Sequence, residues 1–89
     1  MISDKVTVQN KLGLHARAAS VFVKKAMEFS SEITISNSKT EGNGKSIMSM
    51  MMLEASQGTE LQLKIDGEDE QLAFQALTEL VAQKFGEDE

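Results

Sequence analysis

Hydrophobic and polar residues alternate along three stretches of the chain, and this period-two pattern predicts β-strands. The stretches cover residues 5–9, with Ile2 in phase, residues 32–36 and residues 61–65. A short returning strand is predicted from Lys39 to about Asn43, because the pair Asn37-Ser38 favours a turn directly before it. The pattern therefore predicts four strands in all.

Apolar residues recur at helical spacing in two further stretches. Between Ala16 and about Phe29 they follow i, i+3, i+4 and i+7, which predicts an amphipathic helix. A closing helix is predicted from the acidic first turn at 68–70 to about Phe85. Gly86 is expected to end that helix, and the acidic tail at 87–89 is expected to fray. Ser46 is predicted to be the N-cap of a short helix from Ile47 to Leu53.

The predicted elements follow one another in the order βαββαβα. Strands with one polar face require a single layer of helices on the other face. We therefore expect an α+β fold, an open-faced sandwich in which a four-stranded antiparallel sheet is covered on one face by three helices. No repeat, low-complexity stretch or linker divides the sequence, so residues 1–89 are predicted to form a single domain.

Composition excludes several classes of function. The formal net charge of −5 argues against general nucleic-acid binding, which depends on lysine and arginine contacts to phosphate. The chain has no cysteine, so neither a disulfide framework nor a thiolate metal site is available. No apolar run approaches the length of a membrane helix, and no signal-peptide segment starts the sequence. We therefore expect a cytoplasmic protein that does not insert into a membrane.

Basic and acidic residues are concentrated in opposite halves of the sequence. Residues 1–27 carry five bases and one acid, whereas residues 66–89 carry eight acids and one base. This distribution is typical of two solvated faces of opposite sign. Alternatively, it forms a positive end that steers acidic or phosphorylated partners towards His15.

His15 and Arg17 are the only histidine and the only arginine, and both fall where the first strand gives way to a helix. A helix start presents unpaired N–H groups and a partial positive charge, which suits an anion. An imidazole can accept a phosphoryl group, which the N–H groups of Ala16 and Arg17 and the Arg17 guanidinium could stabilise.

The chemistry that this segment lacks is equally informative. The sequence has no second histidine, metal-ligand cluster or Gly-rich phosphate loop, and no carboxylate lies within ten residues of His15. Such a site can accept and hand on a phosphoryl group but is poorly equipped for hydrolysis. The alternative is a surface histidine that only caps a helix.

Residues 10–17 have the sequence Asn-Lys-Leu-Gly-Leu-His-Ala-Arg, and residues 45–48 have the sequence Lys-Ser-Ile-Met. The first segment resembles the active-site motif of the HPr family, the histidine-containing phosphocarriers of the bacterial sugar phosphotransferase system. The second resembles the regulatory-serine segment of that family. The resemblance covers the whole chain in length, element order and motif spacing. It departs at Ala18, where many members have proline, a residue that would fix the first helical turn.

The resemblance implies a function. His15 would receive a phosphoryl group on Nδ1 from phosphorylated enzyme I, itself charged by phosphoenolpyruvate, and would pass it to enzyme IIA domains. Arg17 would stabilise the phosphate, and Ser46 would be the target of an HPr kinase/phosphorylase. The protein would be a carrier with no turnover of its own, without cofactor or metal, and monomeric by default.

Residues 47–53 carry four of the six methionines in the chain. Met50 and Leu53 share one face of the predicted helix, and the opposite face is also apolar. Because a short helix on a sheet buries only one face, an exposed patch is predicted, although methionines more often fill gaps in a core. The resemblance implies that this patch docks partners and has a basic rim; its residues would be Ile47, Met48 and Met51, with Arg17, Lys24 and Lys45 around them.

Three alternatives stay open from the sequence. Residues 52–56 and the acidic tail favour a nitrogen-linked, mainly regulatory branch of the family, whereas residues 45–48 favour the sugar branch. An acylphosphatase-like hydrolase on a similar sheet would need a group that positions water, which Arg17 does not have beside it. A purely regulatory binding module would carry an inert histidine.

Overall fold

The computed structural model describes residues 1–89 and has the predicted element order βαββαβα. The elements are β1 (Ile2–Thr7), α1 (Ala16–Ala26), β2 (Glu32–Ser36), β3 (Glu41–Asn43), α2 (Ile47–Met51), β4 (Glu60–Asp66) and α3 (Glu70–Ala82), followed by a 3₁₀ turn (Lys84–Gly86). The predicted fold class is confirmed. None of the helices has the length and hydrophobicity that a membrane-spanning segment needs.

The four strands form one antiparallel sheet in the order β1-β4-β2-β3. The central strand β4 places Ile65 opposite Ile2 on one side and opposite Ile33 on the other. Along β4 the side chains alternate between buried Leu61, Leu63 and Ile65 and the more exposed residues between them. One face of the sheet therefore lies against the helices and the other faces solvent, as the alternation predicts.

The core lies between the sheet and the helix layer and contains 20 buried hydrophobic residues. The inward face of α1 supplies five of them, Ala18, Ala19, Phe22, Val23 and Ala26. Phe22 is fully buried, and burial of a side chain of this size stabilises the fold by about 1.5–3 kcal/mol. This packing fixes the start of α1, and with it His15, relative to the sheet.

Element ends differ from the predicted ones. The first strand is Ile2–Thr7 and not 5–9, α1 ends at Ala26 and not near Phe29, and α2 ends at Met51 and not at Leu53. Leu53 is buried and Phe29 packs against the core although both lie outside helices. The hydrophobic pattern therefore continues past the last helical turn, because loop residues also bury apolar side chains.

The expectation that the acidic tail frays is wrong. Lys84, Phe85 and Gly86 all have positive φ angles, of 59°, 55° and 82°, and turn the chain back after α3. Phe85 is buried in the core, and Glu87 beyond it accepts hydrogen bonds from the opposite end of the chain. The buried ring of Phe85 and the paired carboxylate of Glu87 hold the tail in place, although its acidic composition predicts a solvated end.

Candidate functional site

The loop before α1 is held against the loop that precedes β4. The N–H of Leu14 donates to the carbonyl of Ala55 at 2.8 Å, and the Leu14 side chain is buried. Gly13 has a φ of +70°, and a Cβ there would lie 2.5 Å from the same Ala55 oxygen. Glycine is thus required at position 13 for both conformation and space, and it places His15 at the end of a fixed loop.

His15 is the N-cap residue of α1, as predicted from the sequence, and its side chain is 30% exposed. Its carbonyl oxygen accepts from the N–H of Ala19 at 2.8 Å, but its ring makes no capping hydrogen bond. The N–H groups of Ala16 and Arg17 belong to the first helical turn, where no preceding carbonyl is available to them. Both residues are exposed, and neither N–H has a hydrogen-bond acceptor within the protein.

The ring of His15 is engaged at one nitrogen only. Its Nε2 lies 2.6 Å from Oε2 of Glu87, a residue 72 positions away, and Nδ1 has no hydrogen-bond partner. Oε1 of Glu87 accepts from Nδ2 of Asn10 at 2.9 Å. The hydrogen bond from Asn10, with further contributions from His15 and the charge of Arg17, lowers the pKa of the Glu87 carboxyl below its usual range. A carboxylate therefore stands at Nε2 and leaves Nδ1 open.

Neither Glu87 nor Asn10 is predicted from the sequence as a partner in this site. No carboxylate lies near His15 in sequence, and its partner Glu87 comes from the other end of the chain. Asn10 is fully buried, and its Nδ2 donates to the carbonyl of Gly13 at 2.7 Å as well as to Glu87. The only local sign of this role is that residue 10 is an asparagine, in a loop whose other residues at 11–14 are a lysine, two leucines and a glycine.

Arg17 lines an open depression of about 800 Å³ together with His15 and the C-terminal tail. It is exposed and forms no ion pair, so its guanidinium is free to meet an anion. Lys11 is tied to the tail instead, because its N–H donates to the main-chain oxygen of Glu89 and its Nζ lies 3.9 Å from Oε2 of that residue. No group of histidine, cysteine or acidic side chains is arranged to hold a metal ion.

Ser46 caps α2, as predicted. Its Oγ accepts from the N–H of Ser49 at 3.2 Å, and the residue is half-buried. The hydroxyl donates no hydrogen bond to the protein. The residue thus performs a structural task that does not depend on any modification.

The helix that follows Ser46 exposes the apolar face that the sequence predicts. Met50 and Leu53 are buried, whereas Ile47, Met48 and Met51 are exposed. Met52, 64% exposed, belongs to the same surface and was not predicted. We call Ile47, Met48, Met51 and Met52 the methionine patch.

The two lysines of the predicted basic rim differ. Lys24 is exposed and forms no ion pair. Nζ of Lys45 donates to the carbonyl of Phe29 at 2.6 Å, so this ammonium group also secures the loop after α1. Of these two lysines, only Lys24 has an ammonium group free of protein partners.

Comparison with known proteins identifies the family. Residues 2–83 match the family described as "PTS HPr component phosphorylation site". The phosphocarrier protein HPr of Xylella fastidiosa (strain Temecula1) is 51% identical over 99% of both chains, and that of Neisseria meningitidis (strain Z2491) is 46% identical over 100% of both. The crystal structure of HPr-C-His from Thermoanaerobacter tengcongensis has a TM-score of 0.94 at 43% identity over 100% of both chains. This chain belongs to the HPr family, the phosphocarrier proteins of the phosphotransferase system.

Proposed function

We propose that His15 carries the phosphoryl group on Nδ1, accepting it from phosphorylated enzyme I and passing it to enzyme IIA domains. One observation carries this proposal: Nδ1 is the only free ring nitrogen, and it lies at a helix start beside an unpaired arginine. The ring nitrogen is a nucleophile, and the acceptor site needs no protein base because a neutral imidazole already has a lone pair.

The phosphoryl group would be stabilised by charge and by hydrogen bonds. The N–H groups of Ala16 and Arg17 are exposed at the positive end of α1, and the Arg17 guanidinium can donate two parallel hydrogen bonds to phosphate oxygens. Lysine would offer only a point charge at this position. The site thus has groups for holding phosphate, and the carboxylate beside the ring, Glu87, is already paired with His15 and Asn10.

The methionine patch is the surface on which we expect donors and acceptors to dock in turn. Methionine side chains are unbranched and adapt to different partner shapes, which suits a carrier that must bind more than one protein. Arg17 and Lys24 would add charge at the rim, and the docking should be small and short-lived. We expect the carrier to act as a monomer in the cytoplasm, where enzyme I would be phosphorylated by phosphoenolpyruvate.

Ser46 is a candidate regulatory site for an HPr kinase/phosphorylase. A phosphate on its Oγ would stand at the start of α2, so the helix need not unfold. It would instead place negative charge beside the methionine patch and oppose acidic partners. Ser46→Asp should therefore accept phosphate from enzyme I more slowly than wild type, and an unchanged rate would contradict this role.

The experiment that tests the carrier function uses purified protein, enzyme I and phosphoenolpyruvate. Phosphorus NMR should show a phosphohistidine signal in wild type and none in His15→Ala. Absence of the signal, or its survival in His15→Ala, would refute the proposal. Without a partner protein, the release of inorganic phosphate from an acyl phosphate should not exceed the spontaneous rate measured without protein, which separates the carrier from an acylphosphatase-like hydrolase.

A further inference from the structure

Glu87 occupies a defined position at the site that the carrier function does not by itself explain. Its side chain is only 12% exposed, and each carboxylate oxygen has its own donor. Oε2 faces Nε2 of His15 at 2.6 Å, and Oε1 faces Nδ2 of Asn10 at 2.9 Å. The tail that carries it is tied down on either side, by buried Phe85 and by the Lys11–Glu89 contact. Glu87 is thus fixed at the ring from several directions.

The distance between Glu87 and His15 determines where the ring proton lies. An ionised carboxylate only accepts hydrogen bonds, so a ring nitrogen 2.6 Å away must carry a hydrogen. A neutral imidazole has one N–H, and placing it on Nε2 leaves the lone pair of Nδ1 exposed. The other tautomer would bring two lone pairs together at Nε2 and would block Nδ1 with a proton.

Asn10 prevents the carboxylate from taking another orientation. Its Nδ2 donates both to Oε1 of Glu87 and to the carbonyl of Gly13, at 2.9 and 2.7 Å. Turning the amide over would put its oxygen against both of these acceptors. Because Asn10 is fully buried, it has no room to find other partners.

We propose that Glu87 is a positioning residue that keeps the proton of His15 on Nε2 and so presents Nδ1 as the phosphoryl acceptor. This inference rests on the proposed function and deepens it. In the transfer step the Nδ1 lone pair forms the new P–N bond, while the bond between phosphorus and the donor's atom breaks and its electron pair leaves with the donor. The ring becomes cationic, and its Nε2 proton stays on the hydrogen bond to the carboxylate. Delivery to an acceptor reverses the charges, and no proton is gained or lost.

Glu87→Gln gives a sharp test because it should invert the tautomer. The buried Asn10 donor still requires an oxygen, so the new amide must turn its NH₂ group towards the ring. That group donates to Nε2, and the ring proton then moves to Nδ1, where it blocks phosphoryl transfer. Glu87→Ala leaves both His15 and Asn10 without the carboxylate, so its ratio of ring tautomers should lie between those of wild type and Glu87→Gln.

The first measurement is the ¹⁵N NMR spectrum of the His15 ring in each protein, recorded without any partner. We expect a predominantly Nε2–H ring in wild type, a mixture in Glu87→Ala and an Nδ1–H ring in Glu87→Gln. Asp88→Asn is the matched control, since it removes one charge from the same tail at an exposed residue and should leave the wild-type tautomer unchanged. A wild-type ring protonated on Nδ1, or three identical spectra, would overturn the proposal.

The second measurement is the initial rate of phosphoryl transfer from enzyme I. Loss of the group that orients a metal-bound histidine costs about 10–100-fold in activity. We expect an effect of comparable size on this ring, so phosphoryl transfer to Glu87→Gln should be slowed roughly tenfold or more while its thermal unfolding remains cooperative. A rate equal to or above that of wild type would mean that the tail is neutral or obstructive and would overturn the inference. If wild type itself forms no phosphohistidine, the proposed function fails, whereas the tautomer spectra still decide the role of Glu87.

Discussion

Replacing Phe85 by alanine should destabilise the fold and release the tail from His15. Phe85 is 5% exposed, although its backbone has a φ of 55°, in the left-handed region. That conformation costs a residue with a side chain roughly 1–2 kcal/mol. The chain adopts it because it returns the ring to the core and directs Glu87 towards the site. Phe85 is therefore the anchor on which the position of Glu87 depends.

The size of the effect follows from burial. Truncation of a buried phenylalanine to alanine costs about 3–5 kcal/mol, and the lower end applies here because a site near the end of the chain can collapse. A domain of 89 residues has a free energy of unfolding of roughly 4–13 kcal/mol, so the variant should still fold. With a urea m-value near 1 kcal/mol per M, a loss of about 3 kcal/mol lowers the midpoint by about 3 M.

Urea unfolding followed by circular dichroism measures this effect, and NMR of the His15 ring measures release of the tail. Leu72→Ala is the matched control, because Leu72 is 65% exposed and its truncation should change the free energy of unfolding by less than about 0.5 kcal/mol. If Phe85→Ala kept the wild-type midpoint and the wild-type ring tautomer, Phe85 would not be the anchor. A loss of stability with an unchanged tautomer would show that the contacts of the tail with Asn10 and Lys11 hold Glu87 at the ring without Phe85.

Three further predictions concern the cap, the pH dependence and the docking surface. Ser46→Ala should lose about 1 kcal/mol and about 5 °C in thermal unfolding because α2 loses its N-cap bond, whereas Ser46→Asp should keep it; equal losses would contradict the cap. The hydrogen bond from Ser31 lowers the pKa of Asp69 from 3.8 to about 2. The stabilisation that ionised Asp69 gives to the fold is therefore complete above about pH 4 and is lost as the pH falls towards 2. Asp69→Asn should make the urea midpoint less dependent on pH across that window, and parallel pH profiles for the variant and wild type would refute this. Met48→Ser should weaken binding to enzyme I in a titration without changing the stability of the fold. Met27→Ser, at another exposed methionine, should alter neither quantity. Equal affinities of Met48→Ser and wild type for enzyme I would show that Met48 is not part of the docking surface.

Most of the fold could be predicted from sequence patterns that extend over a few residues. The alternation in β4 identifies its buried residues Leu61, Leu63 and Ile65 because a strand repeats every two residues. The cap at Ser46 follows from its position before an apolar run, and Gly13 before the helix start indicates the turn that the structure contains. Each of these features depends on neighbours a few residues away, which is the distance over which sequence patterns are informative.

The Nε2 side of the candidate site could not be predicted in the same way. Glu87 reaches His15 across 72 positions, and its tail has the composition of a solvated, fraying end. What reverses that expectation is a backbone turn with positive φ at Lys84 and Phe85, which sequence patterns do not favour for such residues. The turn is stable only because a ring is buried and a carboxylate is paired, and both depend on the assembled fold.

Phe85 is buried two residues before Glu87, which contacts His15, and this arrangement gives a prediction about the combination of their variants. If Phe85 acts on the ring only by holding Glu87 in place, then Glu87→Gln should change the His15 tautomer strongly in wild type and little in a Phe85→Ala background. Residues that share one path give non-additive effects, whereas independent sites add to within about 0.3–0.5 kcal/mol. The tautomer ratio in the four proteins of this cycle, converted to a free energy, measures the coupling directly. Additive changes would mean that Glu87 reaches the His15 ring whether or not Phe85 is present. Burial of Phe85 would then not be what positions the carboxylate.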